Sequence, residues 1–212
     1  MNNVLKKSFS WMFIGLLVTF LTGYVVSVSP NMLEKIFSSG MYLALIIIEL
    51  VLVIVLSARV TKMNPTTARI IFILYSFVTG LTFSSIFVVY QLTSIMIVFL
   101  LTSIIFGVLS LLGYVTNVDL TKFSTYLFIG LIFVVISYIV NMFIGNGTFE
   151  IFICWISIAV FLGFTAYDVQ KIKQLSNYID EDNLAIYGAL QLYLDFINIF
   201  IDLLRLFGNS RD

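Results

Sequence analysis

The sequence predicts an all-α membrane protein of seven transmembrane helices, and two observations lead there. Of the 212 residues, 61% are hydrophobic and 10% are charged, whereas a soluble domain carries about 25% charged residues. The apolar residues also gather in runs of about 20, the length of helix that crosses a hydrocarbon core about 30 Å thick. No polar stretch between the runs is longer than the one around residues 171–183, so residues 1–212 read as a single seven-span membrane domain.

The spans fall at 11–28, 36–58, 68–90, 92–115, 123–144, 150–170 and 184–207. The first follows a basic start, as a signal peptide would. Its apolar run continues for about 18 residues with no small-residue cleavage site, so it reads as a retained span. Ser29-Pro30-Asn31 closes it. Lys62-Met63-Asn64-Pro65 separates the second span from the third, and Gly145-Asn146-Gly147 the fifth from the sixth; each is a turn-forming cluster. The third and fourth runs nearly fuse at Gln91, but a merged run of about 48 residues is too long for one crossing.

Eleven basic residues balance eleven acidic ones, which points to neither a nucleic-acid partner nor a strongly polybasic lipid anchor. The single Cys154 excludes an intrachain disulfide framework. Histidine is absent, so any response to pH near neutrality falls to carboxylates. With a cytoplasmic N-terminus, Lys6, Lys7, Arg59, Lys62, Arg69, Lys122, Lys171 and Lys173 lie inside, against Lys35, Arg205 and Arg211 outside. That asymmetry follows the positive-inside rule. The C-terminus is then outside if the last segment crosses, and inside if it re-enters.

Small residues four apart mark expected packing faces: Ser76, Gly80 and Ser84 in the third span, Ser103 and Gly107 in the fourth, Ala159 and Gly163 in the sixth. Thr79, Thr82 and Ser85 either line a path or bond back to their own helix. No Walker loop, zinc signature, dinucleotide fingerprint or nucleophile elbow is present. The chain is therefore not expected to be an enzyme, and no cofactor is implied.

What chemistry there is lies in charges inside the spans, where a carboxylate costs about 2.5–3.5 kcal/mol on insertion scales. These are Glu49 in the second span, Asp168 near the inner end of the sixth, and Asp195 and Asp202 in the seventh. In that last segment Gln191, Asp195, Asn198, Asp202 and Arg205 are spaced by four, three, four and three. At about 100° per residue they share one face, with Asp195 and Asp202 about 10 Å apart along the axis. Leu192, Ile199 and Leu203 lie opposite. Such a stripe is either enclosed by the other spans or carried on a helix lying flat at the interface. Interfacial helices carry Lys and Arg on the polar face, and this face is net acidic, so enclosure is expected. Asp202 and Arg205 can form a local pair, whereas Asp195 has no basic residue within a turn. A meeting of Asp195 with Asp168 is geometrically open if the last helix is tilted. Two carboxylates so placed would share a proton and titrate as a unit.

The segments YLDFINIFIDLLRLFG (193–208), FTAYDVQKI (164–172) and IIIELVLVIVLSAR (46–59) resemble the signatures of the Bax inhibitor family, the transmembrane Bax inhibitor motif proteins, as do the length and seven-span layout. The resemblance implies six helices surrounding a central, polar-striped seventh, and a pH-sensitive calcium-leak channel of the bacterial cell membrane. It implies a paired-aspartate sensor at Asp168 and Asp195. It also implies a basic latch at Arg59, with Lys62 as a second candidate, and an acidic path position at Glu49. Gln191, Asn198 and Asp202 would extend that path. Calcium takes oxygen ligands, and a leak path needs weak sites because the ion must also leave. Weak, transient calcium binding at Asp195 and Asp168 is accordingly expected. The implied partners are the lipid bilayer, calcium ions and protons, and a monomer is compatible with all of this.

Two other functional readings stay open: a proton-coupled calcium antiporter, and a regulatory membrane protein acting through a protein partner. An intramembrane aspartyl protease fits poorly, since Leu192-Tyr193-Leu194 precedes Asp195 in place of Gly-x-Gly and the only prolines are Pro30 and Pro65. A retinal receptor would need a lysine in the seventh span, which has none.

Overall fold

The computed structural model describes residues 2–38 and 40–211. Among these there are eight α-helices and no strand: α1 (Asn3–Ser27), α2 (Pro30–Phe37), α3 (Met41–Arg59), α4 (Pro65–Val89), α5 (Leu92–Val115), α6 (Ser124–Ile144), α7 (Gly147–Leu175) and α8 (Glu181–Phe207). Short 3-10 turns follow α3 (Val60–Lys62) and precede α6 (Leu120–Phe123). Seven of the helices are long and apolar enough to cross a membrane. The eighth, α2, was not expected: Pro30 at its first turn starts a helix of eight residues where the sequence suggested a plain turn. Gly40, at φ 96°, then allows the sharp break into α3. The predicted second span therefore begins at Met41 and not at residue 36; Ser39, inside the predicted range, lies outside the described residues.

The chain forms two compact units, Met1–Leu92 with Leu175–Tyr193 and Ser210–Asp212, and Thr93–Gln174 with Leu194–Asn209. In the first, α1 packs on α4 through small residues. A side chain at Gly80 would meet the Thr19 carbonyl oxygen at 2.9 Å and Thr22 Cβ at 2.6 Å. Thr19 Oγ1 donates to the Ser76 carbonyl at 2.9 Å and lies 2.6 Å from the Tyr193 hydroxyl. Since the threonine has one hydrogen, Tyr193 donates to it. The expected Ser76–Gly80 face is thus a packing face.

The break at Gln91 is held by the tail: Arg211 donates from its backbone to the Val89 carbonyl at 2.8 Å and from its guanidinium to the Phe87 carbonyl at 3.0 Å. These carbonyls close α4 and would otherwise end without partners. At the opposite end of this unit, Asp180 accepts from the backbone of Asp182 and Asn183 and starts α8. Asp182 pairs with Lys7 at 2.9 Å and Arg69 at 2.8 Å, and Glu181 with Lys7 at 3.0 Å. Two acids in the first turn also suit the positive end of the helix dipole.

In the second unit α5 and α7 touch backbone to backbone, since a side chain at Gly113 would collide with the Ala166 carbonyl. The predicted sixth span stops at residue 170, but α7 runs on to Leu175. Its polar end is held by side chains: Gln170 accepts from Leu120 N and donates to the Val118 carbonyl, and Lys173 donates to the Tyr114 carbonyl. The polar stretch at 171–183 is consequently mostly helix. One expected packing pair fails. Gly107 is exposed with nothing within 4 Å of a built side chain, and Ser103 bonds back to the Phe99 carbonyl. At Gly107 that face of α5 meets no neighbouring helix among the described residues.

Gly80→Val should lower the thermal midpoint of the purified protein in detergent by an amount equivalent to about 1–3 kcal/mol, the usual cost of overpacking. Gly107→Ala should leave it unchanged or slightly raised.

Candidate functional site

The two acids of the α8 stripe are buried, while Arg205 at its end is exposed. Within the apolar window of α8, 72% of residues are buried, against 11–50% in the other six spans, so the helix does not lie flat on a surface and the enclosed arrangement holds. Asp195 and Asp202 are 4% and 3% exposed, and Asp168 on α7 is 4% exposed. Gln191 and Asn198 are half-buried. Asn198 donates to the Leu194 carbonyl at 2.7 Å and so ties its amide to its own helix.

In the second unit Asp168 and Asp195 are brought together closely enough for their charges to interact. Asp195 Oδ2 is fully buried with no hydrogen-bond partner. Beside it on α8, Phe196 packs against Phe99 and Phe106 at centroid distances of 5.2 and 5.5 Å, so the next residue along the chain is held in an apolar shell. The nearest cation in electrostatic reach of Asp168 is Lys171, one turn further along α7. The Gly113 contact at Ala166 lies two residues before Asp168 and sets the close approach of α7 to α5 there.

Asp202 stands in contrast. The Tyr138 hydroxyl donates to it at 2.5 Å, and Arg205 approaches at 3.9 Å as the expected local pair. Arg205 also reaches Glu150 at 3.8 Å and lies over the Tyr138 ring at 4.9 Å. The buried Cys154 sulfur is 3.5 Å from the same tyrosine hydroxyl. Tyr138 and Glu150 were not singled out from the sequence. Tyr138 sits in an apolar run without any spacing signal, and only the packing of α6 against α8 reveals its role.

Glu49, in the first unit, finds neither Arg59 nor Lys62. Thr79 donates to one of its oxygens at 2.8 Å, and Thr82 Oγ1 stands 3.2 Å from the other while donating to the Thr79 carbonyl. Of the three hydroxyls, Thr82 and Ser85 bond back to their own helix, at the Thr79 and Thr82 carbonyls, while Thr79 reaches across to Glu49. Arg59 ends α3 and is exposed. Among the described residues no group of three or more acidic, histidine or cysteine side chains could hold a metal ion, so the pair at Asp168 and Asp195 offers two carboxylates and no cage.

The sequence profile of the family described as "Inhibitor of apoptosis-promoting Bax1" matches residues 1–212. The chain belongs to the Bax inhibitor family. An inner membrane protein of Escherichia coli K12, YbhL, is 42% identical over 218 residues, covering 100% of this chain and 93% of the relative. An uncharacterized protein of Borreliella burgdorferi is 39% identical over 217 residues, covering 100% and 94%. An uncharacterized membrane protein of Streptococcus pyogenes is 40% identical over 172 residues, covering 80% and 75%. This Bax inhibitor family member is a multi-pass membrane protein, as the seven spans and the membrane relatives together show.

Tyr138→Phe removes the shortest bond to a buried carboxylate and should destabilise the protein by about 1–3 kcal/mol, read as a lower melting temperature. Asp195→Asn should do the opposite at neutral pH, raising the melting temperature by a few degrees. It removes a charge that has a like-charged neighbour and an unpartnered oxygen.

Proposed function

We propose that this Bax inhibitor family member is a pH-sensitive calcium-leak channel of the bacterial cell membrane, with Asp168 and Asp195 as its proton sensor and with a cytoplasmic N-terminus. The observation that carries the reading is the carboxylate oxygen of Asp195, buried without a hydrogen-bond partner beside Asp168. A group so costly to bury is retained for function in membrane segments. A proton shared by the pair, or a cation held between them, would relieve the repulsion, and the two compete for the same oxygens. That competition couples cation occupancy to pH without histidine.

Glu49, Gln191, Asn198 and Asp202 supply the further oxygen atoms of the path in this reading. Glu49 accepts from one neutral hydroxyl, that of Thr79, and meets no cation, which suits a weak and transient cation site. Arg59 is the latch, and its exposure leaves the guanidinium able to move. The protein acts without chemical turnover of a substrate.

Proteoliposomes loaded with a calcium indicator test this. Wild type should pass calcium down its gradient at a rate that changes over about two pH units, the width of a carboxylate pair's titration. Asp168→Asn and Asp195→Asn should each flatten that profile, and unaltered profiles in both would remove the sensor. A flux that runs only when a proton gradient is imposed would replace the leak by an antiport.

A further inference from the structure

The second unit carries an open apolar groove of about 580 Å³ between α5, α6 and α7. Its floor on α7 includes Ala159, Gly163 and Ala166, and Leu127 of α6 meets it at Gly163. The sequence marks Ala159 and Gly163 as a helix-packing pair. Only Gly163 is used so, since a side chain there would meet Leu127 Cδ2 at 2.6 Å, while Ala159 is exposed in the groove. The lining on α7 runs from Ile156 to Tyr167, which is about 16 Å of helix. That is close to half of a hydrocarbon core of about 30 Å, the depth of one leaflet.

One end of the groove is polar and basic. Tyr126 and Tyr167 line it, the position at which amphipathic rings meet headgroups. Lys171 lies over the Tyr167 ring with Nζ 5.3 Å from its centroid. Lys122 is exposed in the turn whose neighbours Leu120 and Phe123 also line the groove. Asp119 at this end keeps its charge: its carboxylate accepts from Thr121 Oγ1 at 2.6 Å and Thr121 N at 3.1 Å, and these bonds, with the Lys122 ammonium nearby, hold it below the usual carboxylate range.

We propose that this groove is a binding site for an anionic phospholipid of the membrane. One acyl chain lies along Ala159 and Gly163, and the headgroup phosphate sits at Lys122 and Lys171. The charge favours an anionic lipid, since a zwitterionic headgroup brings its own cation to the two ammonium groups and gains less from them. In the orientation that the basic residues favour, the lipid comes from the cytoplasmic leaflet, whose anionic lipids attract such lysines.

The full-length protein, purified in detergent and mixed with phosphatidylglycerol or phosphatidylcholine of equal chain length, is examined by native mass spectrometry. Wild type should retain phosphatidylglycerol about tenfold more tightly than phosphatidylcholine, as expected for two lysines at a headgroup. Lys122→Gln/Lys171→Gln should abolish the preference while preserving the fold. Ala159→Phe, at an exposed position, should block both lipids. Equal retention of the two lipids by wild type would mean bulk annular lipid only and overturn the proposal, as would wild-type retention by both variants. The readout does not depend on ion flux, so it stands or falls apart from the channel reading.

Discussion

Placing carboxylates inside a membrane domain is the constraint on which the rest of the structure depends. A charge at mid-membrane is tolerated only where protein, and not lipid, surrounds it. The polar residues of α8 therefore require that helix to be the most buried of the seven, and it is. Its ends are secured in keeping with that demand. The acidic first turn is pinned by Lys7 and Arg69, and the last turns are held by Tyr138, Glu150 and the pairing of Asp202 with Arg205.

Asp202 and Asp195 lie on one face of one helix about two turns apart, yet they are treated differently. Asp202 receives a tyrosine hydroxyl and a guanidinium, so its charge is compensated where it stands. Asp195 receives another carboxylate and an oxygen without a partner. A protein that needed only stability would not leave the second in this state, because an unmet buried polar atom costs about 1–3 kcal/mol. The difference separates a residue whose charge is met on the spot from one whose charge is not. Glu49 falls between the two, accepting from the Thr79 hydroxyl, with Thr82 Oγ1 near its other oxygen and no cation to cancel its charge.

The close approaches between helices serve the same arrangement. Glycines at 80 and 113 bring backbones together where any side chain would collide. The contact at Ala166 sets the approach of α7 to α5 two residues before the buried Asp168. Where small residues do not pack, as at Gly107 and Ala159, they open the surface to lipid. The same residue type thus has opposite consequences, according to which way its helix face is turned.

Seven spans, their order and the amphipathic character of the last helix were legible in the residues, because span length and the 3.6-residue period are local properties of the chain. So were Asp168 and Asp195 as residues out of place in an apolar run, and the insertion cost alone argued for their enclosure. What the sequence could not determine was which neighbours meet them, because hydrogen-bond partners come from residues far apart in the chain. The pairing of Glu49 with Thr79 and Thr82, the bond from Tyr138 to Asp202 and the continuation of α7 to Leu175 on anchors from Gln170 and Lys173 all depend on such contacts. The short helix α2 was hidden for a different reason: Pro30 reads equally as part of a turn and as the first residue of a helix, and eight residues are too few to separate the two. Composition and period thus determined what must be buried, and only the tertiary structure decided which buried charge is satisfied and which is not.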